Sequence, residues 1–311
     1  MKKETIYEIK SLYRDDFRVT GYRFGEGKKA ACIVGSSRGN EIQQLYVCSQ
    51  IVRALKELER DGCIQEENEI LVVPSMNPYS MNIQKRFWQT DNTDINRMFP
   101  GYDEGETTQR IAGGVFEVIQ DYAYGMQFTS FYMPGNFIPH VRVMKTGMED
   151  VELAKQFGLP YVVKRRVRPY DTTTLNYNWQ LWESKAFSIY TSSTNNIDRE
   201  SARQAVRGVL NFLYLQGIIS YHTHAGYASE VVEDVDMVSV RTRSAGLFEC
   251  EVRIFQEVLS GQVLARVLDP YEGTVLEEIV SPADGIVFFA HNEPLTYSHT
   301  AVFKLIRSGR I

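Results

Sequence analysis

The stretch from Arg86 to Gly101 reads RFWQTDNTDINRMFPG and contains two arginines, two aspartates and two asparagines before it closes on a Pro-Gly pair. It follows an apolar run over 69–73, which predicts a buried strand, and it precedes an apolar pattern at helical spacing from Ile111. In α/β proteins, ligands bind in the loops beyond the strand ends. We therefore place a candidate site in this loop.

A second polar loop, GSSRGNE over 35–41, lies between an apolar run over 30–34 and a helical pattern over 45–58. Further strands and helices are predicted at 126–131, 186–190, 111–122 and 198–213. Asp198 is the predicted N-cap of the last helix, and Gly217 its stop signal. Strands that alternate with helices predict an α/β domain with a mainly parallel or mixed sheet.

From about Ser244 the pattern changes to short strands with no helix between them. These strands are predicted at 247–255, 262–268, 285–290 and 301–306. The Asp284-Gly285 pair is a hairpin signal within this part of the chain. The sequence therefore predicts one large domain over 1–243 and a small β domain over 244–311.

The composition limits the classes of partner. The chain has 311 residues, of which 43% are hydrophobic and 23% are charged, and its net charge is −5. Such a chain is expected to fold around a sizeable core, and its weak negative charge does not favour nucleic acid or an anionic membrane as a partner. No run approaches the ~18 apolar residues of a membrane span, and no signal peptide follows Met1, so we expect a cytoplasmic location.

The stretch 86–101 resembles a sequence block of the succinylglutamate desuccinylase/aspartoacylase family. That block has the form Arg-x-x-x-x-Asp-x-x-Asp-x-Asn-Arg-x-Phe-Pro-Gly, and the chain matches it at every signature position. The resemblance implies a zinc-carboxypeptidase-like fold, with a mixed sheet flanked by helices over 1–243 and a small β-barrel-like domain over 244–311. It also implies descent from metal-dependent hydrolases that act on amide or ester bonds.

The same resemblance implies that most of the family's zinc ligands are replaced. The loop 35–41 is similar to the family's Gly-x-x-His-Gly-Asp/Asn-Glu loop, but Arg38 stands at the histidine and only Glu41 is retained. Thr129 stands at the third ligand position. A catalytic zinc needs about three protein ligands, and arginine has no lone pair to offer. We therefore expect no cofactor, and a salt bridge between Arg38 and Glu41 in place of the metal.

The resemblance also implies that the catalytic base has changed, because Tyr190 stands at the family's glutamate position. A phenol is mostly protonated at neutral pH and is a poor general base.

A set of carboxylate-binding residues is retained. In the family, the arginine matched by Arg86 polarises the scissile carbonyl, and the pair matched by Asn96 and Arg97 holds the substrate's carboxylate. Guanidinium groups bind planar carboxylates through two hydrogen bonds, so an anionic small-molecule site is a sensible expectation. His140 and Arg142 are further candidates to line it. The alternative is that the arginines only form structural ion pairs with Asp91 and Asp94.

Three functions remain open at this point. The first is a non-hydrolytic family member that binds a small carboxylate ligand or supports an active paralogue, with a homo-oligomer as a further assembly. The second is a zinc-dependent deacylase or amidohydrolase on N-acyl amino-acid-like substrates with a non-standard metal site, for which His222, His224 and Glu230 are candidates. The third is a metal-free enzyme that uses Arg38, Arg86 and Tyr190.

Overall fold

A computed structural model of the protein describes residues 1–12 and 15–308. The chain forms two compact units, which are described separately. The first comprises Met1–Ser130 and Pro139–Val231, and the second comprises Phe131–Ile138 and the chain from Val232 onward. The domain boundary predicted at 243/244 lies within the second unit.

Across the described ranges, helices are confined to the chain before residue 216, whereas strands occur throughout. The helices are α1 (Ile42–Arg60), α2 (Pro78–Met81), α3 (Thr107–Ile119), α4 (Val151–Lys155), α5 (Leu175–Leu181) and α6 (Arg199–Leu215). Short 3₁₀ helices lie at Ile95–Arg97 and Pro169–Asp171. The strands of the first half are β1 (Lys2–Ile9), β2 (Phe17–Phe24), β3 (Gly27–Ser36), β4 (Glu67–Ser75), β5 (Tyr124–Phe128), β6 (Asn136–Phe137), β7 (His140–Lys145), β8 (Tyr161–Arg166) and β9 (Lys185–Tyr190). Those that follow are β10 (Glu230–Glu233), β11 (Val238–Arg241), β12 (Gly246–Cys250), β13 (Glu257–Val258), β14 (Val263–Leu268), β15 (Val275–Val280), β16 (Gly285–Ala290), β17 (Leu295–Thr296) and β18 (Ala301–Arg307).

The first unit is built on a mixed sheet with the strand order β1-β2-β4-β3-β5-β9-β7-β8-β10. Strand β3 runs parallel to β4 and β5, and β5 runs parallel to β9. Strand β2 is antiparallel to β1 and β4, and β7 is antiparallel to β9. The predicted mixed α/β architecture is therefore confirmed.

Successive residues of a strand point to opposite faces of the sheet. The central strands are apolar at successive positions, so both faces of the sheet are apolar and helices cover both. Ile33 of β3 packs in a cluster with the apolar residues of α1 and α6, whereas Cys32 and Val34 pack with those of α3 and α5. The predicted limits of α6 are close to those observed. The Asp198 side chain caps its first turn, and the chain leaves the helix through Gly217, whose φ is +68°.

The strand directions bring the predicted site residues to one edge of the sheet. Because β3, β5 and β9 are parallel, their last residues, Ser36, Phe128 and Tyr190, lie at the same edge. Strand β7 runs the other way, so its first residue, His140, lies there too and pairs with Tyr190. Strands β1, β2, β7 and β8 were not predicted.

The second unit consists of antiparallel sheets. In its described part, one sheet has the order β11-β18-β16-β13, with β6 also paired to β16, and the other has the order β15-β14-β12-β17. The predicted strands correspond to β12, β14, β16 and β18, although β12 ends at Cys250. Strands β11 and β15 were not predicted.

The hairpin predicted at Asp284-Gly285 is wrong. Gly285 opens β16, which pairs with β13 and β18, whereas the preceding β15 pairs with β14 in the other sheet. The turn therefore connects two sheets, and Asp284 Oδ1 accepts a hydrogen bond from the backbone N–H of Ser260 at 2.6 Å. The Asp-Gly pair correctly indicates a turn, but the packing of the two sheets decides which strands pair.

Across residues 1–12 and 15–308, every helix is too short or too polar to cross a membrane.

Candidate functional site

Glu41, the residue before α1, is completely buried at the carboxyl edge of the sheet. Its Oε2 accepts hydrogen bonds from the backbone N–H groups of Ser37 at 2.9 Å and Arg38 at 3.0 Å, and from Ser37 Oγ at 3.3 Å. Its Oε1 accepts hydrogen bonds from Arg38 Nη1 at 3.0 Å and Ser130 Oγ at 2.6 Å. A carboxylate offers about four lone-pair sites, so protein donors saturate this one.

Arg38 is 3% exposed and lies between two carboxylates. While its Nη1 contacts Glu41, its Nε lies 3.1 Å and 3.0 Å from the two carboxylate oxygens of Asp94, and its Nη2 lies 3.0 Å from Asp94 Oδ2. Burial opposes the positive charge, but Glu41 and Asp94 raise the pKa of Arg38 above its ordinary value. The predicted contact between Arg38 and Glu41 is therefore present, and the guanidinium is permanently charged.

Thr129 follows β5 and faces the same guanidinium, since its Oγ1 lies 3.5 Å from Arg38 Nη1. Its backbone is fixed on both sides. The N–H donates to Ile189 O at 3.2 Å, and the carbonyl oxygen accepts a hydrogen bond from Gln44 Nε2 at 3.3 Å. Arg38, which stands at one of the three positions where the family resemblance implies zinc ligands, thus contacts the residues at the other two through its guanidinium.

These side chains do not fit a zinc ion. A tetrahedral zinc site needs about three lone-pair donors of the His, Cys, Asp or Glu type. Here the first position holds a cation without a lone pair, and the carboxylate of Glu41 is occupied by five hydrogen bonds. Nowhere in the described ranges do three His, Cys, Asp or Glu side chains group as a metal ion would require.

The block 86–101 places Asn96 and Arg97 on the 3₁₀ helix next to Asp94, which caps it. Asn96 is buried, and its Oδ1 accepts a hydrogen bond from Gln127 Nε2 at 2.7 Å. Arg97 is 35% exposed and is held by the carboxylate of Asp171 at 3.6 Å. Asn96 is thus fixed in the interior, whereas the side chain of Arg97 is partly exposed to solvent.

Tyr170 and Arg165 complete the surroundings of Arg97. The carbonyl oxygen of Tyr170 accepts a hydrogen bond from Arg97, whose guanidinium carbon lies 5.5 Å from the centre of the Tyr170 ring. Asp171 also binds Arg165, at 3.1 Å. Burial opposes the charge of Arg165, but Asp171 raises its pKa. The buried Asp171 carboxylate therefore anchors two arginines.

Arg86 is half-buried and is influenced by the charges of this site. Burial lowers the pKa of Arg86 to about 10, and the positive charge of Arg38 acts in the same direction, while Glu41 and Asp94 oppose it. The guanidinium remains protonated at neutral pH. Arg86 is therefore a cation near the Arg38–Glu41–Asp94 cluster, as the resemblance implies for a carboxylate-binding arginine.

Tyr190, His140 and Arg142 form one buried group on β9 and β7. The rings of His140 and Tyr190 stack with centroids 4.7 Å apart and planes 3° apart. Arg142 Nη1 donates to Tyr190 Oη at 3.0 Å. The structure thus brings Tyr190, at the position of the family's base, together with His140 and Arg142, the further candidates to line the site, and the phenol oxygen accepts a hydrogen bond from a guanidinium.

The alternative of structural ion pairs named other partners than two of those observed. Asp94 binds Arg38, and the carboxylate that binds Arg97 is that of Asp171. Asp91 accepts a hydrogen bond from Thr93 N at 2.8 Å within its own loop. Asp171 lies far along the chain from Arg97, and no local sequence pattern indicates it.

The alternative metal site also differs from its prediction. His222 and His224 lie in an irregular segment over 220–229. They line a cavity between α1 and α6, and Glu230 is not among its lining residues.

Comparison with known proteins agrees with this architecture. Residues 27–216, more than half of the chain, match the family described as succinylglutamate desuccinylase/aspartoacylase catalytic domain. The N-alpha-acetyl-L-2,4-diaminobutyric acid deacetylase of Halomonas elongata is 23% identical over 284 residues, which cover 86% of this chain and 79% of the relative.

Solved structures share the fold. A succinylglutamate desuccinylase from Silicibacter sp. TM1040 superposes with a TM-score of 0.82 at 18% identity, covering 97% of this chain and 92% of that one. The product-bound ectoine utilization protein EutE (DoeB) from Ruegeria pomeroyi gives a TM-score of 0.78 at 19% identity, covering 93% and 89%. With the match over residues 27–216, the chain belongs to the succinylglutamate desuccinylase/aspartoacylase family.

Proposed function

We propose that this protein binds a small carboxylate-bearing ligand at the edge of its large sheet and does not hydrolyse it through a bound metal. One observation carries the proposal. The guanidinium of Arg38 lies within 3.0 Å of both Glu41 and Asp94 and within 3.5 Å of Thr129, where the family resemblance implies a zinc ion.

The charges around Arg38 support a metal-free site. Two buried or nearly buried carboxylates, Glu41 and Asp94, are offset by Arg38 itself and by the nearby Arg86. A fixed guanidinium supplies positive charge and hydrogen bonds, but it cannot lower the pKa of a bound water as a metal does. The site therefore keeps an electrostatic centre without the means to generate a metal-bound nucleophile.

The phenol of Tyr190 also supports a protein that does not hydrolyse its ligand through a bound metal. A hydrolase of this family needs a carboxylate to take a proton, and this chain offers a phenol that accepts a hydrogen bond from Arg142. That hydrogen bond and the stacked His140 ring hold the phenol in a buried position. We assign Tyr190 a role in positioning Arg142 rather than in proton transfer.

Arg86, Asn96 and Arg97 are the proposed ligand-binding residues, and His140 and Arg142 are further candidates. A guanidinium can hold a carboxylate through two hydrogen bonds, and Arg97 remains partly exposed while Asp171 fixes its direction. The Halomonas elongata relative is named for a deacetylase of an N-acetylated amino acid, so we propose N-acyl amino acids as the ligand class.

Calorimetry and elemental analysis of the purified protein test this proposal. We expect far less than about one zinc per chain, saturable binding of N-acetyl-L-2,4-diaminobutyrate or N-succinylglutamate, and no release of free amine. Arg86→Gln should weaken binding at least about tenfold, since a charge-assisted hydrogen bond contributes about 1.5–3 kcal/mol. Arg60→Gln is the matched control, because Arg60 is exposed and pairs with the adjacent Asp61.

About one zinc per chain, lost on Glu41→Ala, together with amine release that a chelator abolishes, would overturn the proposal. The protein would then be a zinc-dependent deacylase with a non-standard site. Amine release that survives the chelator would instead identify a metal-free enzyme using Arg38, Arg86 and Tyr190.

A further inference from the structure

A cavity of about 640 Å³ lies between α1 and α6 in the first unit. It shares no lining residue with the site around Arg38, and its size is within the range of small-molecule sites. The two helices contribute residues at helical spacing, and the segment 221–224 closes one side. Its apolar and aromatic lining comprises Tyr46, Ala54, Ala202, Val206, Leu210 and Tyr221.

Four arginines and two histidines line this cavity. They are Arg53, Arg199, Arg203, Arg207, His222 and His224. Its lining residues, all within the described part of the chain, include no aspartate or glutamate. Of the four arginines, Arg203 forms an ion pair with the exposed Glu200 at 3.4 Å. In a chain with a net charge of −5, such a concentration of positive charge is a local feature that needs an explanation.

Arg207 provides the strongest evidence for an anionic ligand. Its Nε and Nη2 are buried, and neither has a hydrogen-bond partner in the described part of the chain. A buried guanidinium donor without an acceptor costs free energy, because its hydration is lost and not replaced. Gly226 passes close by, since a Cβ built on it would lie 3.0 Å from Arg207 Nη2. Arg207 lines the cavity, and a shift of its side chain that exposed these two nitrogens would let an anion satisfy them.

His224 adds an oriented donor to the same cavity. The backbone N–H of Gly226 donates to His224 Nδ1 at 2.9 Å. In the neutral ring the proton must then be on Nε2, which makes that nitrogen a donor. The short turn from His224 to Gly226 thus fixes both the ring and the glycine that passes by Arg207.

We propose that this cavity binds a phosphorylated small molecule with a planar or apolar body, as in a nucleoside phosphate. Several cations around one cavity suit a multiply charged phosphate better than a single carboxylate, and arginine forks match phosphate oxygens. The two tyrosines and the aliphatic side chains of α1 and α6 suit a ring. This site is separate from the proposed carboxylate site and does not depend on it.

Isothermal titration of the full chain with ADP, inorganic pyrophosphate and adenosine tests the proposal. We expect saturable, submillimolar binding of ADP, weaker binding of pyrophosphate and the weakest binding of adenosine. Arg207→Gln and the surface variant Arg203→Gln should each weaken ADP binding, the first at least about tenfold. Arg60→Gln, on the same helix as Arg53 but outside the cavity, should bind ADP like the wild type.

Thermal unfolding without ligand separates a binding role from a structural one. Because Arg207 has unpartnered buried donors, Arg207→Gln should be at least as stable as the wild type, whereas a structural arginine would leave a destabilised variant. The proposal is overturned by failure of ADP and pyrophosphate to bind, or by equal affinity in Arg207→Gln, Arg203→Gln and the wild type. It is also overturned if Arg86→Gln, in the other site, is the variant that abolishes ADP binding.

Discussion

Arg38 Nη1 lies 3.0 Å from Glu41 Oε1, and the two side chains are 3% and 0% exposed. The two residues are three positions apart, so the contact is local, but Asp94 from a distant loop binds the other side of the same guanidinium. Removal of Glu41 from this buried group is costly, because Arg38 loses one of its two carboxylates and the N–H groups of Ser37 and Arg38 lose their acceptor in a poorly hydrated place.

Glu41→Ala should therefore destabilise the protein by about 3–5 kcal/mol. The substitution removes the acceptor of five hydrogen bonds and leaves Arg38 with Asp94 alone. Urea titration followed by circular dichroism measures the change. The matched control is Glu152→Ala, which breaks the pair of the same spacing between Glu152 and Lys155 at the surface. Equal losses in the two variants would contradict a buried, structurally required pair.

Arg38→His combined with Thr129→His should create a zinc site. Both positions face Glu41 or the guanidinium bound to it. Loss of that guanidinium removes one of the two hydrogen bonds to Glu41 Oε1, so the double variant would present two imidazoles and one carboxylate oxygen with a free lone pair around the space vacated by Arg38. We expect about one zinc per chain by elemental analysis after dialysis against zinc, and no such uptake by Thr129→His alone. Uptake by the wild type equal to that of the double variant would show that Arg38 does not exclude the metal.

Parts of this site were predictable from sequence for a definite reason. The block 86–101 and the loop of Arg38 and Glu41 each resemble a contiguous sequence block of the family, so the resemblance was enough to bring them into one hypothesis. Similarly, Asp198 and Gly217 are strong end signals for α6.

The remaining features depend on contacts between distant segments. Asp94 is 56 residues from Arg38, and Asp171 is more than 70 from Arg97, so neither pair leaves a local signal. Strand β7 buries His140 and Arg142 among apolar residues, which breaks the alternation expected of a half-exposed strand. The antiparallel direction of β7, which brings His140 to Tyr190, is a property of the whole sheet.

Asp171→Asn should weaken ligand binding without contacting the ligand. Asp171 is buried and holds both Arg97 and Arg165, so loss of its charge should release Arg97 from its orientation. We expect a fivefold to tenfold rise in the Kd for N-acetyl-L-2,4-diaminobutyrate, equivalent to about 1 kcal/mol. Asp121→Asn, which removes an exposed partner of Lys29, should leave the Kd unchanged. An unaltered Kd in Asp171→Asn would mean that Arg97 does not bind the ligand.

Asp198 should make α6 sensitive to acid. Burial opposes its charge, but hydrogen bonds from Ser192 and from the N–H groups of Glu200 and Ser201 lower the pKa of Asp198 below its ordinary value. A lowered pKa means that the ionised cap stabilises the folded state above the unfolded pKa of ~3.9, and that this contribution is lost as pH falls through the lower, folded value.

Asp198→Ala should therefore cost about 1 kcal/mol at pH 7, the usual effect of losing an N-cap, and the difference from the wild type should narrow as the pH drops below about 4. Urea titrations at pH 7, 4 and 3 follow this change. Asp198→Asn keeps a side-chain acceptor for the Glu200 N–H, so it should retain most of the stability at pH 7 and show little of the acid-dependent loss. A constant difference between Asp198→Ala and the wild type at all three pH values would show that the charge of Asp198 does not contribute to capping α6.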